Sequence, residues 1–214
     1  MTLCEIGNTH YHFKQNGRIW KTPVAGLPEV KLEADEAIYV ISVNEVAERK
    51  LARKYRTFSL EPFISLDSIY HGLGVDRAAA CMAVDTGVIV DAGSAITVDV
   101  MRDSVHLGGF IYPGLTKFKE MYARISPRLQ KAMTFSLDLE SLPQSTGEAI
   151  SFGVVMPLVS AVKALSRNKQ IYLTGGDGAY FARYFEGTIV DQLLVFKGME
   201  RIIANFEGVF DEKV

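Results

Sequence analysis

The amino-acid sequence predicts an α/β protein that consists of two similar half-domains. Apolar runs of strand length alternate with segments of helical character, which is the pattern of α/β proteins. The segment 5–9 ends an apolar strand with a carboxylate, any residue, a glycine and a small polar residue, and the segment 91–95 repeats this order. Each segment leads into another strand, so we interpret them as two copies of one hairpin-led unit. We predict an N-terminal half-domain over residues 1–83 and a C-terminal half-domain over residues 84–214.

Composition narrows the class of protein. Hydrophobic residues make up 48% of the 214 residues, which is enough for a core and excludes a mostly disordered chain. The 23 basic and 25 acidic residues give a net charge of −2, so no charge excess favours nucleic acid or an anionic membrane. We find no signal peptide, and the longest uncharged stretch, 149–162, falls short of the ~20 residues of a membrane helix. We expect a soluble, cytoplasmic protein without nucleic-acid or membrane partners.

In the N-terminal half-domain, the opening segment 3–6 is predicted to be a strand. Asn16-Gly17 lies between two alternating segments and is a strong signal for a β-hairpin turn. The continuous apolar run 37–43 is typical of a strand that is buried on both faces. The segments 45–55 and 76–83 lack glycine and proline and are predicted to be helices.

The C-terminal half-domain is predicted to contain strands followed by helices and a late strand. Pro157 lies inside the longest predicted helix and is expected to kink it. Cys4 and Cys81 lie in apolar surroundings and are interpreted as buried thiols. The predicted strands are 88–90, 95–101, 105–111 and 170–174, and the predicted helices are 114–124, 146–166, 178–184 and 199–206.

The two carboxylate-x-glycine turns suit phosphate and metal chemistry. Glycine lets the backbone approach a phosphate closely, and the small polar residue beside it supplies hydrogen-bond donors. A carboxylate at the end of a strand can hold a hydrated Mg²⁺ or a monovalent cation. The pair of turns therefore predicts a nucleotide cleft, although ordinary hairpin turns have the same pattern.

The segment 72–77 places an acid beside a base where a helix begins. Asp76 could accept a proton from a substrate hydroxyl, and Arg77 could bind a substrate carboxylate through two hydrogen bonds. The alternative interpretation is an N-cap aspartate followed by a solvated arginine.

Two further glycine-rich segments have a functional and a structural interpretation. The segment 172–178 could present a flat surface to a nucleobase or be a tight strand-to-helix turn. The segment 108–114 could be a hinge, a substrate lid or a strand-to-helix turn.

Six segments, taken together and in this order, resemble the type III pantothenate kinases of bacteria, in particular the short epsilon-proteobacterial members. Any one of these motifs is weak evidence for the family, whereas six motifs in the family's order are highly specific for it. The resemblance spans most of the chain and rests on Ile6-Gly7-Asn8-Thr9, Gly74-Val75-Asp76-Arg77, Asp91–Asp99, Gly108-Gly109 with Pro113-Gly114, Thr146–Ile150 and Thr174-Gly175-Gly176-Asp177.

The resemblance implies a fold, a reaction and a set of cofactors. The family belongs to the superfamily of acetate and sugar kinases, actin and chaperone ATPases, in which mixed sheets with helices surround a cleft. Its members transfer the γ-phosphate of ATP to the 4′-hydroxyl of pantothenate, which gives 4′-phosphopantothenate in the first step of coenzyme A biosynthesis. They use Mg²⁺ with ATP, need a monovalent cation such as K⁺ or NH₄⁺, and work as homodimers.

The resemblance also implies roles for individual residues. Asp76 would be the general base, and Asp91 would hold the monovalent cation. Pantothenate would be bound by Tyr70, Gly74, Val75, Asp76, Arg77 and Thr146. ATP would be bound by Glu5, Ile6, Gly7, Asn8, Thr9, His10, Tyr11, His12 and Ser94.

Two positions depart from the family pattern. Glu5 stands where the family has aspartate, and it keeps the charge on a longer side chain. We predict that Glu5 serves Mg²⁺ through water, because a water shell absorbs the extra length. Ser94 stands where the family has threonine and keeps the hydroxyl donor, so we expect little change there.

The long helix 146–166 is apolar on nearly all sides, more than one half-domain of this size needs to bury. We therefore predict a homodimer whose interface helps to enclose pantothenate, with a central helix inside the monomer as the alternative. Two other functions are considered: a kinase of the same superfamily that acts on another small hydroxylated substrate, and a non-catalytic nucleotide-sensing regulator.

Overall fold

The computed structural model describes residues 1–134 and 136–206. Its strands are β1 (Thr2–Ile6), β2 (His10–Gln15), β3 (Arg18–Pro23), β4 (Ile38–Ser42), β5 (Thr57–Ser59), β6 (Asp67–Ser68), β7 (Gly87–Ala92), β8 (Ala95–Arg102), β9 (Val105–Pro113), β10 (Ile171–Thr174) and β11 (Ile189–Val190). Its α-helices are α1 (Glu45–Ala52), α2 (Val75–Met82), α3 (Leu115–Ile125), α4 (Thr146–Ser166), α5 (Gly178–Phe181) and α6 (Leu194–Asn205). The structure is therefore of the predicted α/β class.

The chain forms two compact units that are not continuous in sequence. Unit 1 comprises Met1–Asp85, Asp103–His106 and the segment that begins at Leu193, whereas unit 2 comprises Thr86–Arg102 and Leu107–Gln192. The chain first passes from unit 1 to unit 2 after Asp85, which is two residues beyond the predicted division at residue 83. The predicted C-terminal half-domain differs from unit 2 because α6 belongs to unit 1, and residues 207–214 of that half-domain lie outside the described residues.

The sheet of unit 1 has the strand order β3-β2-β1-β4-β5. The β2–β3 turn adopts left-handed backbone angles at both Asn16 (φ 48°) and Gly17 (φ 79°), as a tight hairpin turn requires. β1 is antiparallel to β2, with Glu5 opposite His12, and parallel to β4. Side chains that alternate along these strands fill the core of unit 1: Cys4, Ile6, Tyr11, Phe13, Ile38 and Val40.

The helices of unit 1 explain why a late segment joins an early one. Gly198 of α6 lies so close to α2 that an added Cβ atom would be 1.8 Å from the carbonyl oxygen of Ala79. This close approach places α6 against α2 although more than a hundred residues separate them in sequence. Unit 1 also contains β6, which pairs in parallel with Val105 and His106 at the start of β9.

Unit 2 contains strands in the order β11-β10-β7-β8-β9, with β7 antiparallel to β8 and parallel to β10. α4 lies in its core, where Val154, Val155, Leu158, Val159 and Val162 are buried against the strands. α4 is long and apolar enough to cross a membrane by length and composition alone. Its buried face packs as that of a core helix does. Both cysteines are buried thiols, as predicted.

Candidate active site

The β1–β2 turn is short and presents its polar groups outward. Gly7 N–H donates to the carbonyl oxygen of His10 at 2.9 Å, which closes the turn, and Asn8 and Thr9 are exposed. Ile6 and Tyr11 are buried, and the Tyr11 hydroxyl donates to the carbonyl oxygen of Ala47 at 2.8 Å. The side chains of Ile6 and Tyr11 therefore belong to the core, and only their backbone groups remain for a ligand.

Glu5 is supported by a histidine across the hairpin. Its Oε2 lies 3.2 Å from Nδ1 of His12, and the His12 ring lies 6.0 Å from the His10 ring. Burial, followed by the charges of Lys21 and His12, lowers the pKa of His10. The Glu5 side chain is only partly exposed, and its carboxylate is a hard oxygen ligand of the kind that Mg²⁺ prefers. Glu5 fits the role of a water-mediated Mg²⁺ partner.

Asp76 lies in the first turn of α2. Gly74 is the N-cap residue, and Asp76 Oδ1 accepts a hydrogen bond from the Arg77 N–H at 2.7 Å. Burial raises the pKa of Asp76 and the nearby negative charge of Glu5 raises it further, while the Arg77 N–H opposes the shift. A Cβ atom at Gly74 would lie 2.7 Å from Asp76 Oδ1, so the loop needs glycine to leave the carboxylate in place. A carboxylate with a raised pKa suits general-base work.

Arg77 is held over an aromatic ring. Its guanidinium carbon lies 5.0 Å from the centre of the Tyr70 ring, which is a cation–π geometry. The Arg77 side chain is only 6% exposed, and Asp76 is not the N-cap residue. The alternative interpretation of this pair, an N-cap aspartate with a solvated arginine, is therefore wrong.

In unit 2 the β7–β8 turn packs against the late glycine turn. Gly175 has a left-handed φ of 78°, and an added Cβ atom would lie 2.4 Å from Asp91 Oδ1 and 2.6 Å from the carbonyl oxygen of Ala92. Asp177 N–H donates to the same Ala92 oxygen at 2.9 Å, and burial raises the pKa of the Asp177 carboxyl. The Asp91 carboxylate thus lies tightly against Gly175, and as a hard oxygen donor it is the group in this turn that could hold a cation.

The predicted hinge or lid is a strand-to-helix turn in the structure. β9 ends at Pro113 and α3 begins at Leu115, with Gly114 as the N-cap residue. An added Cβ atom at Gly114 would lie 2.5 Å from the carbonyl oxygens of both Gly93 and Ser94. The turn therefore supports the backbone of the β7–β8 turn and leaves the Ser94 side chain exposed.

The predicted site residues thus fall into two groups. Unit 1 contains Glu5 to His12, Tyr70 and Gly74 to Arg77, and within it Glu5 acts electrostatically on Asp76 while Tyr70 meets Arg77. Unit 2 contains Asp91 and Ser94 at one turn and Thr146 as the exposed first residue of α4.

The sequence analysis did not anticipate the contacts that three polar residues make near these groups. His12 was named only as a residue near ATP, although the short turn over residues 7–9 sets the β1–β2 register that pairs it with Glu5. Ser68 and His106 lie 38 positions apart and meet at 2.7 Å, and no motif or spacing signals that contact.

The family model and the most similar relatives indicate one family. The family model of type III pantothenate kinase matches residues 64–168. A type III pantothenate kinase of Helicobacter hepaticus is 50% identical over 204 residues, which cover 95% of this chain and 98% of the relative. A type III pantothenate kinase of Wolinella succinogenes is 48% identical over 200 residues, which cover 93% and 94% of the two chains.

Two solved structures resemble the whole chain. A protein from Campylobacter jejuni that carries the name Baf family transcriptional activator has a TM-score of 0.85 and 38% identity, and the match covers 97% of this chain and 100% of that one. The psk41 ParM protein has a TM-score of 0.50 and 11% identity, and the match covers 98% of each chain. This second likeness concerns the fold alone.

Proposed function

The chain belongs to the type III pantothenate kinase family, and from that premise we propose that Asp76 is the general base when ATP phosphorylates the 4′-hydroxyl of pantothenate. Phosphorylation of pantothenate is the first step of coenzyme A biosynthesis and is the function of this enzyme. The observation that carries the assignment of Asp76 is its position in the first turn of α2, with a raised pKa and beside Arg77.

The reaction needs a base because a primary alcohol holds its proton tightly. As the hydroxyl oxygen forms a bond to the γ-phosphorus, the bond from that phosphorus to the β-phosphate oxygen breaks and ADP leaves. The hydroxyl proton passes to Asp76, whose partly buried carboxylate has a higher proton affinity than a solvated one. The Arg77 N–H donates to Oδ1, and we assign the acceptance of the proton to Oδ2.

Pantothenate carries a carboxylate that Arg77 suits. The guanidinium is already oriented by the Tyr70 ring, so binding the carboxylate costs less conformational freedom. By the family resemblance, the backbone of Gly74 and Val75 in unit 1 and the hydroxyl of Thr146 in unit 2 would also contact pantothenate.

On the ATP side, the backbone and hydroxyl groups of residues 5–12 and of Ser94 would contact the phosphates. Basic residues are scarce in these turns, so cations must neutralise the phosphate charge. Bound Mg²⁺ and K⁺ or NH₄⁺ would supply that positive charge. Glu5 would serve Mg²⁺ through water, and Asp91 with the Ala92 carbonyl oxygen would hold the monovalent cation.

The proposed enzyme is a cytoplasmic homodimer. α4 buries one side in unit 2 and leaves apolar residues exposed on the other, among them Ala149, Met156 and Pro157. A second copy of the chain would cover this surface and help to enclose pantothenate. Light scattering at micromolar protein tests this proposal, and a single 23.7 kDa particle would contradict it.

One assay separates this function from the two alternatives. ADP formation should require pantothenate, should not occur with hexoses in its place, and should be faster with K⁺ than with Na⁺. A hexose kinase would reverse the substrate requirement, and a regulator would form no ADP with either substrate. The name of the Campylobacter jejuni structure favours a regulator, but a Campylobacter jejuni relative at 42% identity is named type III pantothenate kinase.

A further inference from the structure

We infer that His106, acting with Ser68, positions the Tyr70–Arg77 pair that binds pantothenate. The inference rests on the proposed function, because it concerns the same substrate site. It gives a role to a buried histidine that the proposed chemistry does not otherwise use.

Parallel pairing of two short segments brings the two side chains together. Ser68 of β6 lies opposite His106 at the start of β9, and Ser68 Oγ lies 2.7 Å from His106 Nδ1. The same Oγ accepts a hydrogen bond from the Tyr70 N–H at 3.0 Å. One hydroxyl therefore connects the buried imidazole to the backbone of the loop that carries Tyr70.

The imidazole also meets the Tyr70 side chain directly. The two rings lie 5.9 Å apart between centroids with their planes tilted by 56°, and the Arg77 guanidinium lies 5.0 Å from the Tyr70 ring. His106 and Arg77 are both contacts of this one ring, so the position of His106 limits where the ring, and with it the guanidinium, can lie.

The loop around Tyr70 provides little other packing for this purpose. Ile69 is 89% exposed, His71 is exposed, and Gly72 has a left-handed φ of 75° with open space beside it. The contacts from Ser68 and His106 therefore fix Tyr70 within a loop whose other members face solvent. Without these contacts, the Tyr70 ring and the Arg77 guanidinium should sample more positions. Ordering the two groups would then cost part of the free energy of pantothenate binding.

The test compares Michaelis constants for the two substrates. His106→Leu should raise KM for pantothenate about tenfold and leave KM for ATP and kcat within about twofold. His106→Asn should restore most of the pantothenate affinity, because its side-chain amide lies near the position of Nδ1. Calorimetry of pantothenate binding should show the same order of affinities without turnover.

Ser68→Ala provides a smaller change at the other end of the contact and decides the matter if His106→Leu does not fold. It should raise KM for pantothenate in the same direction. The double variant Ser68→Ala with His106→Leu should be no worse than His106→Leu alone, because the two residues act as one unit.

The matched control is Thr2→Val, which removes a buried hydroxyl elsewhere in unit 1. Thr2 is fully buried and bonds to Glu36 and Gln15 at 2.7 and 2.8 Å. This control should lower the melting temperature and leave both Michaelis constants unchanged.

Equal rises in both Michaelis constants for the His106 and Ser68 variants, or no rescue by asparagine, would overturn the inference. A wild-type protein that forms no pantothenate-dependent ADP would instead overturn the proposed function.

Discussion

In unit 1 the carboxylate of the β1–β2 turn, Glu5, meets His12 across the hairpin at 3.2 Å, whereas in unit 2 the carboxylate of the β7–β8 turn, Asp91, lies against the backbone of Gly175. The two turns share one sequence pattern but hold the carboxylate by different means. A side-chain partner can follow a longer carboxylate, so the first turn accommodates glutamate. Beside the second turn, Gly175 leaves no space for an added Cβ atom next to the Asp91 carboxylate, so that carboxylate has a fixed position.

Proton transfer is the role that we propose for Asp76 in unit 1, and its substitution has the largest expected effect. Asp76→Asn should lower kcat about 10²–10⁴-fold, because an amide cannot accept the hydroxyl proton. The asparagine oxygen can still accept the Arg77 N–H bond, so the loop should keep its structure. Steady-state ADP formation measures the effect, and turnover near that of the wild type would exclude Asp76 as the base.

The same variant should be more stable than the wild type near neutral pH. Burial and the Glu5 charge raise the pKa of Asp76 above its ordinary value of 3.8, so the charged carboxylate opposes folding. This cost is fully present above the folded-state pKa and disappears as the pH falls below the unfolded value. Melting temperatures at several pH values measure it, and the advantage of Asp76→Asn should shrink as the pH is lowered. An advantage independent of pH would refute the assigned shift.

Substitution of Gly175 tests whether the Asp91 carboxylate has a fixed position. Gly175→Ala should weaken K⁺ activation about 10–100-fold, because the new methyl group displaces Asp91 from its position. It should also lower stability by about 1–3 kcal/mol, because alanine is strained at a φ of 78°. The matched control is Gly176→Ala, where no atom lies within 4 Å of the added carbon. K⁺ titrations of the activity of both variants test this prediction. Equal K⁺ activation curves for the two variants would show that Gly175 does not support Asp91.

Much of the fold follows from local sequence signals, and the misses have physical causes. The helix Thr146–Ser166 matches its predicted bounds, and the Asn16-Gly17 hairpin forms as expected. α6 begins at Leu194 and not at 199, because Gly198 reads as a helix breaker in sequence but serves the close approach to Ala79. β6 and β11 are two residues long and carry no periodic pattern of their own.

In the candidate site, too, some residues could be predicted from the sequence and others could not. Asp76 and Arg77 could be named as candidate site residues from the sequence because they lie in a motif of four consecutive residues. The meeting of Ser68 and His106 depends on the pairing of β6 with β9, which brings together residues that no local pattern relates. Motifs within one loop can thus be read from the sequence, whereas contacts made by strand pairing need the fold.

Because the β1–β2 turn accommodates a longer carboxylate, we predict a graded response to substitutions of Glu5. Glu5→Asp should keep most activity, whereas Glu5→Gln should raise the Mg²⁺ concentration for half activation about tenfold, because water-mediated binding needs the charge more than the length. Mg²⁺ titrations at fixed ATP measure the difference. An unchanged Mg²⁺ curve for Glu5→Gln would remove Glu5 from any metal role.

The smallest effect should come from Ser94→Thr, because we expect the hydroxyl to matter there and the extra methyl group not to. The Ser94 side chain is exposed, and the close packing of Gly114 involves the carbonyl oxygen of Ser94. Ser94→Thr keeps both the hydroxyl and that backbone contact, so all kinetic constants should stay within about twofold. Ser94→Ala removes the donor that we propose for an ATP phosphate and should raise KM for ATP about tenfold, with KM for pantothenate unchanged. If threonine were as harmful as alanine, the β7–β8 turn would be crowded on its side-chain face too, and its rigidity would not come from Gly114 and Gly175 alone.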